Sequence, residues 1–408
     1  MTSKERHEAR YLRRKAKREE KKQLLRLEYD NFDKVFTYEH MYKSARRCKQ
    51  NVNWKASVQR YSIFTGRNIM KTLRKLKAGK YRSRGFYEFY INERGKIRRI
   101  RSVDIDERVV QRTLCDYCLV PLLTRSFTKD NSASQKGKGY HFAMKRLKKH
   151  LTSYFHRNGN DGYILLYDFK NFFDSISHDK VKKIIRKHIS DTRLIDLCDH
   201  FIDCFNDGYD ESNINNKFGH SLGLGSQISQ VLALAMADII QHYIKEVMHI
   251  KESAAYMDDG YVIAKDKDTL RQCIEALKIL AGKLELNLNW NKVHVVKLSH
   301  GFTYCKKRIW LKGSGKIVMK ICKQSVRVER VKLKKHAKWV AEGRMTIPEA
   351  YQGYQSWRAY AKHCDAYRTI GKMNWLFSDL FLNGVNINFI YHFIGGHKYG
   401  QETCIDDC

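Results

Sequence analysis

The sequence predicts an α+β protein built around an antiparallel sheet, and three observations carry that prediction. Residues 163–167, Tyr-Ile-Leu-Leu-Tyr, form an unbroken apolar run of the kind that fills a buried strand. Residues 253–256 and 261–264 flank Asp259-Gly260, and residues 86–91 and 96–101 flank Asn92-Glu93-Arg94-Gly95. Glycine after Asp or near Asn, between β-prone segments, is a strong short-range hairpin signal. Elsewhere apolar positions recur at helical spacing, as in Ile228, Val231, Leu232, Ala235 and Ile239.

The chain has 408 residues, enough for two or three domains, and Lys+Arg total 78 against 43 Asp+Glu, a formal net charge of +35. Such an excess fits a polyanionic partner whose phosphates neutralise it. The charge is spread along the chain, with no lipidation signal, no apolar stretch of membrane-spanning length and no apolar secretion segment. These features predict a cytoplasmic protein without a membrane partner. Eleven cysteines at irregular spacing do not make a disulfide framework. Cys115/Cys118 and Cys404/Cys408 are close pairs without a second pair at zinc spacing.

Residues 1–30 are charge-dense and helix-favouring, which suits either a solvated helix or an RNA-contacting arm. A mostly helical stretch follows to about residue 90, with Trp54, Tyr61 and Phe64 as core candidates. The second strand of the first hairpin carries Lys96, Arg98, Arg99 and Arg101. Cations crowded on one strand are stabilised by an anion, and a triphosphate matches arginine's paired donors. A helix is expected from Ile105 to about Leu119. Residues 132–141 then form a basic, glycine-containing loop before a helix at 143–151. Asp168 closes the 163–167 strand and projects at its end. Asp258 and Asp259 stand side by side at a hairpin tip, where a cation relieves their repulsion. Magnesium fits, because this hard ion takes one or two carboxylates together with substrate phosphates. Residues 269–284 form an amphipathic helix, and basic helices begin near Ser325, with aromatics between the cations as far as Tyr360.

The tetrad Tyr256-Met257-Asp258-Asp259, the segment Asp168–Asp174 after its apolar strand, and residues 219–230 together resemble the palm motifs of bacterial reverse transcriptases. The Lys96-Ile97-Arg98-Arg99-Ile100 strand is similar to that family's K-x-R-x-I fingers strand. Residues 105–111 resemble its D-R-V-V-Q segment, and Leu286–Lys292 its motif D. Two departures stand out. Gly223-Leu224-Gly225 occupies the place of the more common P-Q-G, and Ser229-Gln230 resembles the S-Q of diversity-generating retroelement enzymes.

The resemblance implies a right-hand polymerase fold. Its parts would be a basic extension at 1–30, fingers and palm at 31–310, a helical thumb at 311–395 and a tail at 396–408. It implies an RNA-directed DNA polymerase of a retron, group II intron, diversity-generating or defence system, with a non-polymerising, maturase-like RNA-binding module as the alternative. Asp168, Asp258 and Asp259 would bind two Mg2+ ions (or Mn2+), with the Phe169 carbonyl as a further ligand. Lys292 is the candidate general acid. Lys96 and Arg98 would hold the triphosphate, with Arg99 in that role if the register differs. Phe173 would exclude a ribose 2′-hydroxyl. Gly225 and Gln230 would line the nucleotide site, and Tyr256 and Met257 would position primer end and nucleotide. The partners implied are an RNA template, a DNA or RNA primer, deoxynucleotides and a dedicated non-coding RNA.

Overall fold

The computed structural model describes residues 2–93, 95–206 and 218–382, and the side chains of Glu93 and Lys96 also lie outside the described residues. The described chain falls into two compact units. The first comprises residues up to 154 together with 162–295, and the second takes 155–161 and resumes at 296. The boundary expected at 310 falls inside a strand of the second unit.

A basic helix, Ser3–Tyr29, opens the chain, with a capping box between Thr2 and Glu5 and no buried residue. Of the three core candidates that follow, only Tyr61 is buried; Trp54 and Phe64 are exposed. Ile69, Leu73 and Leu76 of helix Thr65–Lys77 supply that core instead, because they share one face at helical spacing. Strands β1 (Tyr87–Glu93) and β2 (Lys96–Ser102) form the expected two-stranded hairpin. Helix Ile105–Leu114 then widens into a π-turn at Cys115–Leu119 before Val120–Leu123. Pro121 cannot donate the next helical hydrogen bond, and the wider turn absorbs that break.

The central sheet has strand order β4-β5-β3-β6, formed by β3 (Tyr163–Tyr167), β4 (Ser253–Tyr256), β5 (Asp259–Ala264) and β6 (His294–Lys297). Strand β3 lies between β5 and β6, which is why its residues form an apolar run rather than alternating. Helix Gln227–His242 packs nearly all round: Ala233, Leu234, Met236 and Ala237 are buried beside the expected stripe, while Ile239 is partly exposed. A helix apolar on every side belongs inside a core. Helix Lys267–Lys283 begins at Asp266, whose carboxylate accepts from Thr269 N.

In the second unit, β7 (Phe302–Tyr304), β8 (Lys307–Leu311) and β9 (Ile317–Ile321) form an antiparallel sheet. Helices Lys323–Ala341, Ile347–Lys362 and Tyr367–Phe381 follow, joined through a core of Leu333, Tyr354, Trp357, Met373 and Phe377. The expected tail at 396–408, with Cys404 and Cys408, lies outside the described residues.

Candidate active site

The β4–β5 hairpin turns one step earlier than its Asp-Gly pair suggests. Tyr256 pairs with Asp259, so the two-residue loop is Met257-Asp258, and Met257 takes the left-handed conformation with φ 56°. Asp259 and Gly260 therefore belong to β5. Gly260 lies opposite Tyr167 of β3, and a Cβ at that position would fall inside the Tyr167 ring. The glycine serves strand packing rather than the turn.

Asp168 follows β3, 4 % exposed, and is brought to the same place. Asn289 N donates to its carbonyl at 2.9 Å, and Lys170 N donates to Asn287 O at 2.8 Å. These two bonds flank the Phe169–Leu288 pair, so the Phe169 carbonyl points away from segment 287–289. Lys292 Nζ donates to Asp168 Oδ2 at 2.6 Å, and Asn289 Nδ2 approaches Oδ1 at 3.4 Å. Burial and the neighbouring Asp168 charge raise Asp258 above the usual carboxylate range. Burial, a hydrogen bond with Asp168 and the charge of Asp258 push Asp259 up to about 7. Burial works to lower Lys292, but its bond to Asp168 and the charges of the three acids outweigh that and raise it. The acids thus meet their mutual repulsion partly through the Lys292 ammonium and partly by raised carboxyl proton affinity.

Carboxylate and carbonyl oxygens are the donors that hard divalent ions prefer, so the three acids and the Phe169 carbonyl fit such ions chemically. Among the described residues no group of three or more acidic, His or Cys side chains is already arranged to ligate one. Lys292 sits against Asp168 as a neutralising partner, an engagement that its expected general-acid role did not anticipate. Asn289 escaped the sequence reading, although it lies three residues before Lys292 in the same stretch.

Around the acids, Arg98 is half-buried and lowers the cost of charge on Asp258. Lys96 begins β2, with its side chain outside the described residues. Arg99 lies on the other face of the strand, held by the Glu88 carboxylate at 2.6 and 2.9 Å. Phe173 is half-buried against Phe172, and its carbonyl accepts from Leu222 N at 3.0 Å. Gly225 has φ +119°, and a Cβ there would stand 2.6 Å from the Arg101 carbonyl oxygen. Strand β2 makes a close approach that requires this glycine. Arg101 N donates to Leu224 O at 2.8 Å and fastens the crossing. Gln230 is exposed on the first turn of helix Gln227–His242. The Tyr256 ring meets Tyr140 edge-on at 6.5 Å, and Met257 Sδ lies 4.0 Å from Ser134 Oγ.

Known proteins resemble this chain to different extents. Protein YkfC of Escherichia coli K12 is 22 % identical over 253 residues, covering 54 % of this chain and 65 % of its own length. Telomerase from Candida albicans, solved with a fragment of telomeric RNA, aligns at TM-score 0.45 and 10 % identity over 64 % of this chain. Apo telomerase from Candida tropicalis aligns at 0.44 and 14 % over 61 %. The chain spans about half the length of either telomerase, 52 % in both cases. With residues 76–332 matched to it, the chain belongs to the reverse transcriptase (RNA-dependent DNA polymerase) family.

Proposed function

We propose that this protein is an RNA-directed DNA polymerase that adds deoxynucleotides to a primer paired with an RNA template. One observation carries the reading: Asp168, remote in sequence, meets Asp258 and Asp259. Two divalent ions there, Mg2+ or Mn2+, would activate the primer hydroxyl and neutralise the leaving pyrophosphate. The chain's own part is positioning and charge. Asp168, Asp258 and Asp259 hold the ions, and Lys96 with Arg98 neutralises the triphosphate. Phe173 closes the sugar side against a 2′-hydroxyl, while Gly225, Gln230, Tyr256 and Met257 frame primer end and base. Lys292 keeps a proton beside the acids and is assigned to protonate the pyrophosphate.

We assign the enzyme to a bacterial retroelement or phage-defence system in the cytoplasm, with a dedicated non-coding RNA as partner. Fingers and palm are assigned to 31–310 and the thumb to 311–395. The +35 formal charge and the basic helices of the second unit support a polyanionic partner. No described helix is long and apolar enough to cross a membrane.

Primer extension on an RNA template tests the assignment, comparing wild type with the double variant Asp258→Ala/Asp259→Ala. The wild type is expected to extend and the double variant to make no product. Equal product from both, or RNA binding by a wild type that never extends, would replace the polymerase with a maturase-like binding module.

A further inference from the structure

A second set of charged groups lies buried behind the catalytic hairpin, and the chemistry just described does not use it. Asp130, 5 % exposed, is paired with Arg146 Nε and takes a 2.8 Å bond from Lys245 Nζ. Burial works to raise Asp130, yet these two cations outweigh it and keep the carboxylate charged. Arg146 also reaches His150 Nε2 at 3.1 Å. A guanidinium can only donate, so this nitrogen accepts and the proton sits on Nδ1. Nδ1 then donates to the Tyr261 hydroxyl at 2.8 Å. Asp130, His150 and Tyr261 are buried and Arg146 and Lys245 half-buried, and removing polar groups from water in this way is costly, while nothing in core packing alone requires it.

The geometry shows what the cluster holds. Strand β4 is an edge of the central sheet, and Asp130–Ser132 closes that edge. Ala255 N donates to Asp130 O at 3.1 Å, and Ser132 N donates to Ala255 O at 2.9 Å. Lys245, placed by a π-turn at Tyr243–Val247, also donates to the Lys251 carbonyl at 3.0 Å, just before β4. Tyr261, fully buried, is the second residue after Asp259 on β5. One buried cluster therefore grips β4 before the turn and β5 after it.

We propose that Asp130, His150 and Lys245 are positioning residues that hold the Met257–Asp258 turn and Asp259 in register for catalysis. They touch neither substrate nor reacting atoms, and they act through Ala255, Lys251 and Tyr261. The inference rests on the polymerase reading for its kinetic consequence, but its structural core does not.

Tyr261→Phe tests it, because it removes one hydroxyl and keeps the packed ring. Asp130→Asn, which keeps shape and the backbone bonds to Ala255, serves as the second variant. Hydrogen exchange of a peptide covering residues 253–264 is expected to speed up about tenfold in either variant, the worth of one hydrogen bond. Peptides from residues 302–321 are expected to exchange as in wild type. Single-nucleotide extension is expected to lose about tenfold in kcat, with the deoxynucleotide KM unchanged. Unchanged exchange at 253–264, or a raised KM with kcat intact, would overturn the inference. A wild type that makes no product overturns the polymerase reading instead, and the exchange result then decides the grip alone.

Discussion

The ring of Tyr167 lies across the backbone of Gly260, its antiparallel partner, and no side chain fits beneath it. Gln241 Nε2 donates to the Tyr167 hydroxyl at 2.6 Å, so the ring cannot swing aside without breaking a buried bond. The residue after the Asp258–Asp259 pair is therefore fixed by contact with the strand that delivers Asp168. Gly260→Ala is expected to cost about 1–3 kcal/mol, the usual range for overpacking a rigid site. Urea unfolding measures it, and Gly260→Ala/Tyr167→Ala should recover part of the Gly260→Ala loss. A neutral Gly260→Ala would show that the ring yields.

What the sequence revealed follows the reach of each signal. The strand 163–167, the hairpin at 253–264 and the acids at their ends are local patterns, legible from apolar runs and turn residues alone. The reason for Gly260 is a ring supplied from ninety-odd residues earlier, so Asp259-Gly260 read as the turn itself when the turn is Met257-Asp258. Gly225 was expected to line a nucleotide site, and the Arg101 carbonyl that crowds it comes from a strand too distant in sequence to be foreseen. Trp54 and Phe64 looked like core because aromatic residues usually are, but Ile69, Leu73 and Leu76 fill that place. The Asp130 cluster draws on four separate segments, and no spacing rule joins them.

In the proposed reading Lys292, which contacts Asp168, would compete with a divalent ion for that carboxylate. Addition of Mg2+ should stabilise the wild type by RT ln(1 + [L]/Kd), about 1.4 kcal/mol when the ion stands near ten times its Kd. Lys292→Met removes the ammonium that contacts Asp168 at 2.6 Å, leaving the acids under greater repulsion. This variant should be less stable than wild type without Mg2+ and should gain more from it. Thermal melts with EDTA and then with Mg2+ measure both. A gain in Lys292→Met no larger than that of wild type would mean that the lysine does not compete.

Two buried groups give stability opposite slopes against pH. Burial lowers His150 to about 4, with Lys245 and Arg146 adding to it against Asp130. From about pH 6.5 down to about 4 the unfolded chain takes up a proton that the folded imidazole refuses, so stability falls with falling pH, by up to about 3 kcal/mol. Asp259, raised to about 7, does the reverse: the folded carboxyl keeps a proton that the unfolded one has lost, so stability falls as pH rises from about 4 to about 7. The net curve blurs the two, and variants separate them. Relative to wild type, His150→Gln should lose the acid-side decline, and Asp259→Asn should lose the decline toward neutrality. Urea titrations at pH 4.5, 5.5 and 6.5 read both, and parallel curves for His150→Gln and wild type would place a charged imidazole in the folded protein.

In the proposed reading Phe173 offers its side chain to the sugar, while its backbone does separate structural work. Its carbonyl accepts from Leu222 N at 3.0 Å, and that bond survives any substitution of the ring. The ring packs edge-on against Phe172, which is itself buried in the core, so its position is set by a wall that does not move. Phe173→Ala should therefore leave the loop before helix Gln227–His242 in place and open space only at the ring. A pocket contact of this kind discriminates by about 1–3 kcal/mol, or roughly 10–200-fold. The ratio of dATP to rATP incorporation is expected to fall within that range, mostly through faster rATP use, with Phe173→Tyr close to wild type. An unchanged ratio in Phe173→Ala, with dATP still incorporated, would show that sugar selection lies in another residue.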